Sequence, residues 1–173
     1  MKKTQKLILT SLLIAVGVVL PIFARMIGAG QWLSPLHIPA LLGGILLGPL
    51  EGLLIGLVTP LLNNVLFSMP PAGLVLLSMC VELPVYGIVS GVCMRVFQKQ
   101  KNPMVRVYLS LILAMLAGRV AGGIVQACIL GLANYSIAMW GAAYFVGTAP
   151  GIVVHLIVIP IIYLSLLKAK LLQ

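Results

Sequence analysis

The sequence predicts an all-α membrane protein in which six transmembrane helices form one bundle, a single domain that covers residues 1–173. Its composition supports this fold class, because 62% of the 173 residues are hydrophobic and only 8% are charged. A water-soluble domain carries about 25% charged residues. Lysine and arginine also cluster in a few short segments between long apolar runs. The bilayer is therefore the predicted solvent of the chain.

Six spans follow from the apolar runs. A helix that crosses the hydrocarbon core of a bilayer needs about 20 apolar residues. Runs between glycine, proline and polar breakers predict spans near residues 7–24, 36–49, 51–67, 72–96, 106–132 and 144–167. The first run is long, and Phe23-Ala24-Arg25 lacks the small-residue pattern of a signal-peptide cleavage site, so this run is expected to stay as a span. The second and third spans are short and form either a helical hairpin or a bent pair.

The orientation follows from the basic residues, since short cytoplasmic loops are enriched in lysine and arginine. With six spans, one side of the membrane receives Lys2, Lys3, Lys6, Arg95, Lys99, Lys101, Arg106, Lys168 and Lys170. Only Arg25 falls on the other side, and Arg119 lies within a span. Both termini are therefore predicted to be cytoplasmic. This topology accounts for the net charge of +9, which indicates attraction to anionic lipid of the bilayer and gives no evidence for nucleic-acid binding.

Glycines recur four residues apart within several spans, as at Gly44, Gly48, Gly52 and Gly56, and at Gly87 and Gly91. This spacing places small residues on one helix face and lets helix backbones approach closely. The glycine faces are therefore predicted to be helix–helix interfaces.

Three ionisable side chains, Glu82, Arg119 and His155, lie near the middle of consecutive spans. An ionisable group at the bilayer centre costs about 2.5–3.5 kcal/mol on insertion scales, so each one needs a partner or a function. They would either converge on one cavity, or Glu82 and Arg119 would form a structural ion pair that joins two helices. His155 would either form a hydrogen bond to a neighbouring helix, or bind ligand or carry a proton.

Further polar residues extend this set. Gln126 lies seven residues beyond Arg119 on the same helix face, and Asn64 lies in a non-ideal stretch of the third span that contains Pro60. Trp140 lies in a predicted outer loop, where it is either an interfacial anchor or a stacking wall for a ligand ring. The candidate binding residues are Arg119, Glu82, Gln126, Asn64, His155 and Trp140.

Catalytic and energy-converting motifs are absent from the sequence. It has no G-x-x-x-x-G-K-[ST] loop, no H-E-x-x-H, no G-x-S-x-G, and only two carboxylates. The chain is therefore not expected to be an enzyme, and no metal or cofactor is expected. Uphill transport driven by ATP would require an ATPase in another subunit.

One stretch resembles a known family. Residues 37–56 contain the pattern Leu-Gly-Pro-x-x-Gly-x-x-x-Gly and are similar to the second and third spans of S components, the substrate-binding subunits of energy-coupling factor (ECF) vitamin transporters. The Met69-Pro70-Pro71 loop and the segments at residues 114–119 and 147–151 are similar as well. The resemblance covers nearly the whole chain.

This resemblance implies a vitamin-binding subunit in a bacterial plasma membrane that docks on a membrane coupling subunit, the T component, and two cytoplasmic ATPases. It implies delivery of the substrate by reorientation within the membrane. Family members carry an Ala-x-x-x-Ala contact for the coupling subunit on the first span, and this chain has Ser11 and Ala15 at the comparable place.

The sequences of these motifs are most similar to those of the pantothenate-type branch of the family. Pantothenate is an anion, and Arg119 would give its carboxylate a charge-assisted partner. A pyridoxine-, cobalamin- or thiamine-related vitamin is an alternative, and a neutral or cationic ligand would use Glu82 as its partner. A membrane scaffold protein, in which Glu82 and Arg119 only hold the bundle together, is the alternative from another functional class.

Overall fold

The computed structural model describes residues 3–131 and 133–169, apart from the side chain of Gln31. These residues form eight α-helices: α1 Lys3–Met26, α2 Gly30–Leu33, α3 His37–Leu47, α4 Pro49–Phe67, α5 Leu74–Val96, α6 Pro103–Leu130, α7 Ile137–Gly141 and α8 Ala149–Lys168. A 3-10 turn, Phe97–Lys99, follows α5, and a π-helical turn, Ala142–Val146, follows α7. Lys2 and Lys170, which contributed to the predicted orientation, lie outside the described residues.

Five helices in the described part of the chain are long and apolar enough to cross a membrane: α1, α4, α5, α6 and α8. The predicted second span corresponds to α3, which has only 11 residues. Gly48 ends it with a φ of +124°, a conformation that favours glycine, and Pro49 starts α4 at once. The two helices pack side by side as a hairpin, with Gly43 next to Gly52. The six-span count and the cytoplasmic termini stay predictions.

The predicted glycine interfaces are confirmed by the packing of α3, α4 and α5. Gly44, Gly52 and Gly87, called the glycine seam below, bring the three backbones into direct contact, so that an added Cβ at Gly87 would overlap the Gly52 backbone. Gly56 meets Leu83, and Gly91 meets Pro49. These pairs run in opposite directions along the two helices, so α4 and α5 are antiparallel.

The polar stretch of α4 is used for packing against α1. Asn63 is 1% exposed, and its Nδ2 donates to the Gly17 carbonyl oxygen at 3.0 Å and to the Thr59 carbonyl oxygen at 2.9 Å. Thr59 packs its methyl group at Gly17. These buried polar groups therefore join two helices.

The start of α1, the α3–α4 turn and the end of α5 meet at one end of the bundle, called the basic end below. Lys6 Nζ donates to the Leu47 carbonyl oxygen at 2.6 Å and to Glu51 Oε1 at 3.1 Å. The Arg106 guanidinium donates to the Met94 carbonyl oxygen at the end of α5. The opposite end holds the end of α1 and the starts of α5 and α8, and it contains the main cavity.

Candidate functional site

A cavity of about 570 Å³ opens at the end of the bundle opposite the basic end. Its wall combines the end of α1, the segment from Gly28 to His37, the Met69–Pro71 loop, the first three turns of α5, the second half of α6 and the segment from Ala143 to Thr148. Small-molecule pockets usually have volumes of about 300–1,000 Å³ and a few placed polar groups. The cavity therefore has the size of a small-ligand site.

Arg119 supplies a buried positive charge to this wall. It is 4% exposed, and its Nε donates to the Tyr144 carbonyl oxygen at 2.8 Å. The terminal nitrogens make only long contacts of 3.4 Å, Nη1 with the Met115 carbonyl oxygen and Nη2 with Thr148 Oγ1. The guanidinium is thus fixed at Nε, while its two outer nitrogens hold weak bonds.

Glu82 lies in the wall without pairing to Arg119. Its Oε1 accepts from the Tyr86 hydroxyl and lies 3.4 Å from His37 Nε2. Among the described residues, the ion pairs are His37–Glu82 and Lys6–Glu51. The predicted alternative of a structural Glu82–Arg119 ion pair is therefore wrong. The imidazole of His37, on α3, occupies the position beside Glu82 that the guanidinium of Arg119 was expected to take.

Both histidines of the chain converge on one carbonyl group. His37 Nδ1 lies 3.0 Å and His155 Nε2 lies 3.3 Å from the Ser34 carbonyl oxygen. The two rings are stacked with a centroid distance of 5.7 Å. Ser34 has a φ of +43°, a value uncommon for a non-glycine residue. The turn between α2 and α3 thus aims its carbonyl at the two imidazoles.

The segment after α7 is held in the cavity wall by Arg119. The π-helical turn at residues 142–146 exposes the Tyr144 carbonyl group, which accepts from Arg119 Nε and from the Thr148 hydroxyl at 2.6 Å. Single π turns occur frequently at functional sites. Trp140 Nε1 donates to the Arg119 carbonyl oxygen at 3.0 Å, and the indole contacts α6 from outside the cavity lining.

The structure divides the six predicted site residues into two groups. Arg119, Glu82 and Gln126 line the cavity. Asn64, His155 and Trp140 lie outside its lining and contact the segments that form it, since Asn64 Nδ2 donates to the Pro70 carbonyl oxygen at 2.7 Å. Their role as ligand contacts stays a prediction.

Sequence reasoning missed several lining residues, including Arg25, Ser34, His37 and Tyr144. His37 lies near the end of a predicted span, where a structural role is expected. Its neighbours, the proline-rich stretch from Ser34 to Pro39, were the available signal that the backbone bends there.

The class of protein to which this chain belongs follows from its match to a known protein family. The family model described as ECF transporter, substrate-specific component, matches residues 5–169. The chain belongs to this family. No curated protein and no solved structure matches the chain.

Membership confirms the resemblance found in the sequence. ECF substrate-specific components are multi-pass membrane proteins that bind the transported substrate, and they are not enzymes. The family implies a membrane T component and ATPase partners. The cavity is therefore the candidate substrate site of an ECF substrate-specific component.

Proposed function

We propose that this ECF substrate-specific component captures pantothenate from outside a bacterial cell and delivers it across the plasma membrane when docked on a T component with two ATPases. The observation that carries the proposal is Arg119, a buried cation in the cavity wall without a carboxylate partner among the described residues. A buried charge is costly unless it is paired. An anionic ligand supplies the missing partner.

The guanidinium geometry suits a carboxylate. Arginine binds carboxylates with two parallel N–H···O bonds, and the outer nitrogens of Arg119 hold only contacts of 3.4 Å. A ligand carboxylate would replace these weak bonds while Nε stays on Tyr144.

Uncharged parts of pantothenate would meet the polar groups that face Arg119. Glu82 Oε2 has no hydrogen-bond partner among the described residues, and Gln126 also lines the cavity. The hydroxyl and amide groups of pantothenate would donate to the carboxylate and bond the Gln126 amide. The methyl groups would pack on Met79 and Val75, which line the same wall.

A neutral or cationic vitamin, related to pyridoxine or thiamine, is the second candidate. The free Oε2 of Glu82 favours it, since a cationic ring nitrogen would pair there. Such a ligand would leave Arg119 unpaired, which makes it the weaker candidate. The exposed indole of Trp32, in the cavity lining, would stack on its ring.

Docking on the T component would use α1. Ser11 and Ala15 lie four residues apart on a face of α1 that is exposed in the isolated chain. Small side chains at this spacing let a second helix approach closely. Ser11→Leu combined with Ala15→Leu is expected to abolish vitamin uptake by the assembled transporter while binding by the isolated subunit is kept.

Mass spectrometry of small molecules released from the denatured protein would test the proposed identity of the substrate. The protein is purified in mild detergent from cells grown in rich medium, and pantothenate is expected at about one molecule per chain. Panthenol, in which an alcohol replaces the carboxylate, is expected not to compete. A cationic vitamin in its place would contradict the proposal, as would folded protein that stays empty after exposure to a vitamin mixture.

A further inference from the structure

Two arginines line the cavity, and the protein holds them in different ways. Arg119 is 4% exposed, and its Nε lies 2.8 Å from the Tyr144 carbonyl oxygen. Arg25, at the end of α1, is only half-buried, and its Nε makes one long contact of 3.3 Å with the Pro21 carbonyl oxygen. Its terminal nitrogens have no hydrogen-bond partner among the described residues. Arg25 is therefore the more exposed and the less tightly bonded of the two cations.

Arg25 is positioned at the cavity by the start of α2 and the end of α4. An added Cβ at Gly30 would lie 2.8 Å from Arg25 Cγ, so the aliphatic part of the side chain packs against the backbone of α2. The guanidinium carbon lies 5.8 Å from the centre of the Phe67 ring, a distance at which a cation is attracted to the face of an aromatic ring. These contacts position the side chain and leave its terminal nitrogens available to a ligand.

The connecting segments at this end of the bundle carry no other formal charge. Residues 26–37, 67–74 and 131–149 contain no lysine, arginine, aspartate or glutamate. In the cavity lining, Arg25 and Arg119 face one acidic side chain, Glu82. The lining therefore keeps a net positive charge whether or not the Glu82 carboxyl group is ionised. A cleft with one sign of charge between low-dielectric walls concentrates ligands of the opposite sign and raises their association rate.

We propose that Arg25 captures the anionic substrate at the mouth of the cavity, whereas Arg119 retains it inside. The identity of the anion rests on the proposed function. An exposed charge at the rim of a site acts mainly on the association rate and its salt dependence, and a buried hydrogen-bonded charge acts mainly on the dissociation rate. The exposure and bonding of Arg25 place it in the first class, and those of Arg119 place it in the second.

Stopped-flow measurements of pantothenate binding to the purified protein separate the two roles. Arg25→Gln is expected to lower the association rate constant at least about threefold at about 0.01 M salt, where the Debye length is about 30 Å. At about 1 M salt, where this length is about 3 Å, the difference from wild type is expected to vanish. The dissociation rate constant is expected to stay within about twofold of wild type.

Two further variants show whether the charge itself is responsible. Arg25→Lys keeps the charge without the guanidinium group and is expected to associate at the wild-type rate. Lys99→Gln removes the same charge from an exposed position near the basic end, and it is also expected to associate at the wild-type rate. The proposal is overturned if Arg25→Gln associates normally or changes only the dissociation rate. It is equally overturned if Arg25→Lys or Lys99→Gln is as slow as Arg25→Gln.

Quenching of Trp32 fluorescence by iodide tests the capture charge without any vitamin. Trp32 lines the same cavity and is 60% exposed, and Trp140→Phe leaves it as the single tryptophan of the chain. In an uncharged detergent, Arg25→Gln in this background is expected to lower quenching by the iodide anion about twofold. Quenching by neutral acrylamide is expected to stay unchanged.

The quenching result also separates this inference from the choice of vitamin. Equal iodide quenching with and without Arg25 would overturn the capture role. If pantothenate fails to bind at every salt concentration, the vitamin assignment fails, and iodide quenching alone decides the role of Arg25.

Discussion

The chain has two acidic residues, and they lie in two regions of opposite character. Glu51, at the basic end, is paired with Lys6 at 3.1 Å, beside the α3–α4 turn. Glu82, at the cavity, faces His37 and leaves Arg119 without a carboxylate. At the basic end the carboxylate is paired with a lysine, whereas at the cavity Arg119 has no carboxylate partner among the described residues.

Backbone regularity differs in the same way. Around the glycine seam, helices contact each other through regular backbone. Around the cavity, the chain uses a short α2, a left-handed Ser34 and a π-helical turn. In a bilayer, irregular backbone is tolerated only where it is buried in protein or lines a polar cavity. The regular packing of the glycine seam is therefore expected to serve stability, and the irregular backbone of the cavity wall is expected to serve ligand binding.

The largest effect is expected at the glycine seam. Gly87→Val would place its side chain into the Gly52 backbone, which is expected to destabilise the protein by at least about 3 kcal/mol. The yield of monodisperse protein in detergent should fall severely. Gly141→Ala is the control, because an added Cβ there meets nothing within 4 Å. Equal yields of the two variants would contradict the close backbone packing at the glycine seam.

Replacing each glutamate by glutamine distinguishes the roles of the two regions directly. Glu51→Gln removes the charge partner of Lys6, whose side chain is 32% exposed, so the expected loss of stability is about 1 kcal/mol or less. Its pantothenate affinity is expected to equal that of wild type. Glu82→Gln is expected to change the affinity for pantothenate. If Glu51→Gln altered binding as strongly, the division between the two ends would be wrong.

A small effect is also expected from Trp140→Phe, which removes the hydrogen bond to the Arg119 carbonyl oxygen. One such bond contributes about 1 kcal/mol, so the thermal midpoint should fall by a few degrees. The affinity for pantothenate should change by less than about threefold. A loss of tenfold or more would indicate that Trp140 contacts the ligand.

Much of the fold could be predicted because the bilayer restricts the chain to a few structures. The long apolar runs predicted α1, α4, α5, α6 and α8 within a few residues, apart from the start of α8. The last span was predicted from residue 144, but α8 begins at Ala149. The π-helical turn that precedes it depends on the contact between Arg119 and Tyr144, 25 positions apart, and such tertiary contacts leave no local pattern.

The cavity could be predicted only in part for a related reason. Position along a span gives the depth of a side chain in the membrane, and depth brought Glu82, Arg119 and His155 together as candidates. Depth does not give the direction in which each helix turns its side chain. Glu82 therefore contacts His37 on α3, and Arg119 donates to the backbone after α7.

The central claim is that Arg119 binds the anionic group of the substrate, and a pantothenate titration of the purified protein tests it most directly. Arg119→Ala is compared with Lys99→Ala, which removes the same charge from an exposed position near the basic end. Two charge-assisted hydrogen bonds of about 1.5 kcal/mol or more each predict at least about a 100-fold weaker affinity for Arg119→Ala. Circular dichroism and gel filtration establish that the variant is folded. Wild-type affinity in a folded Arg119→Ala protein would contradict the account.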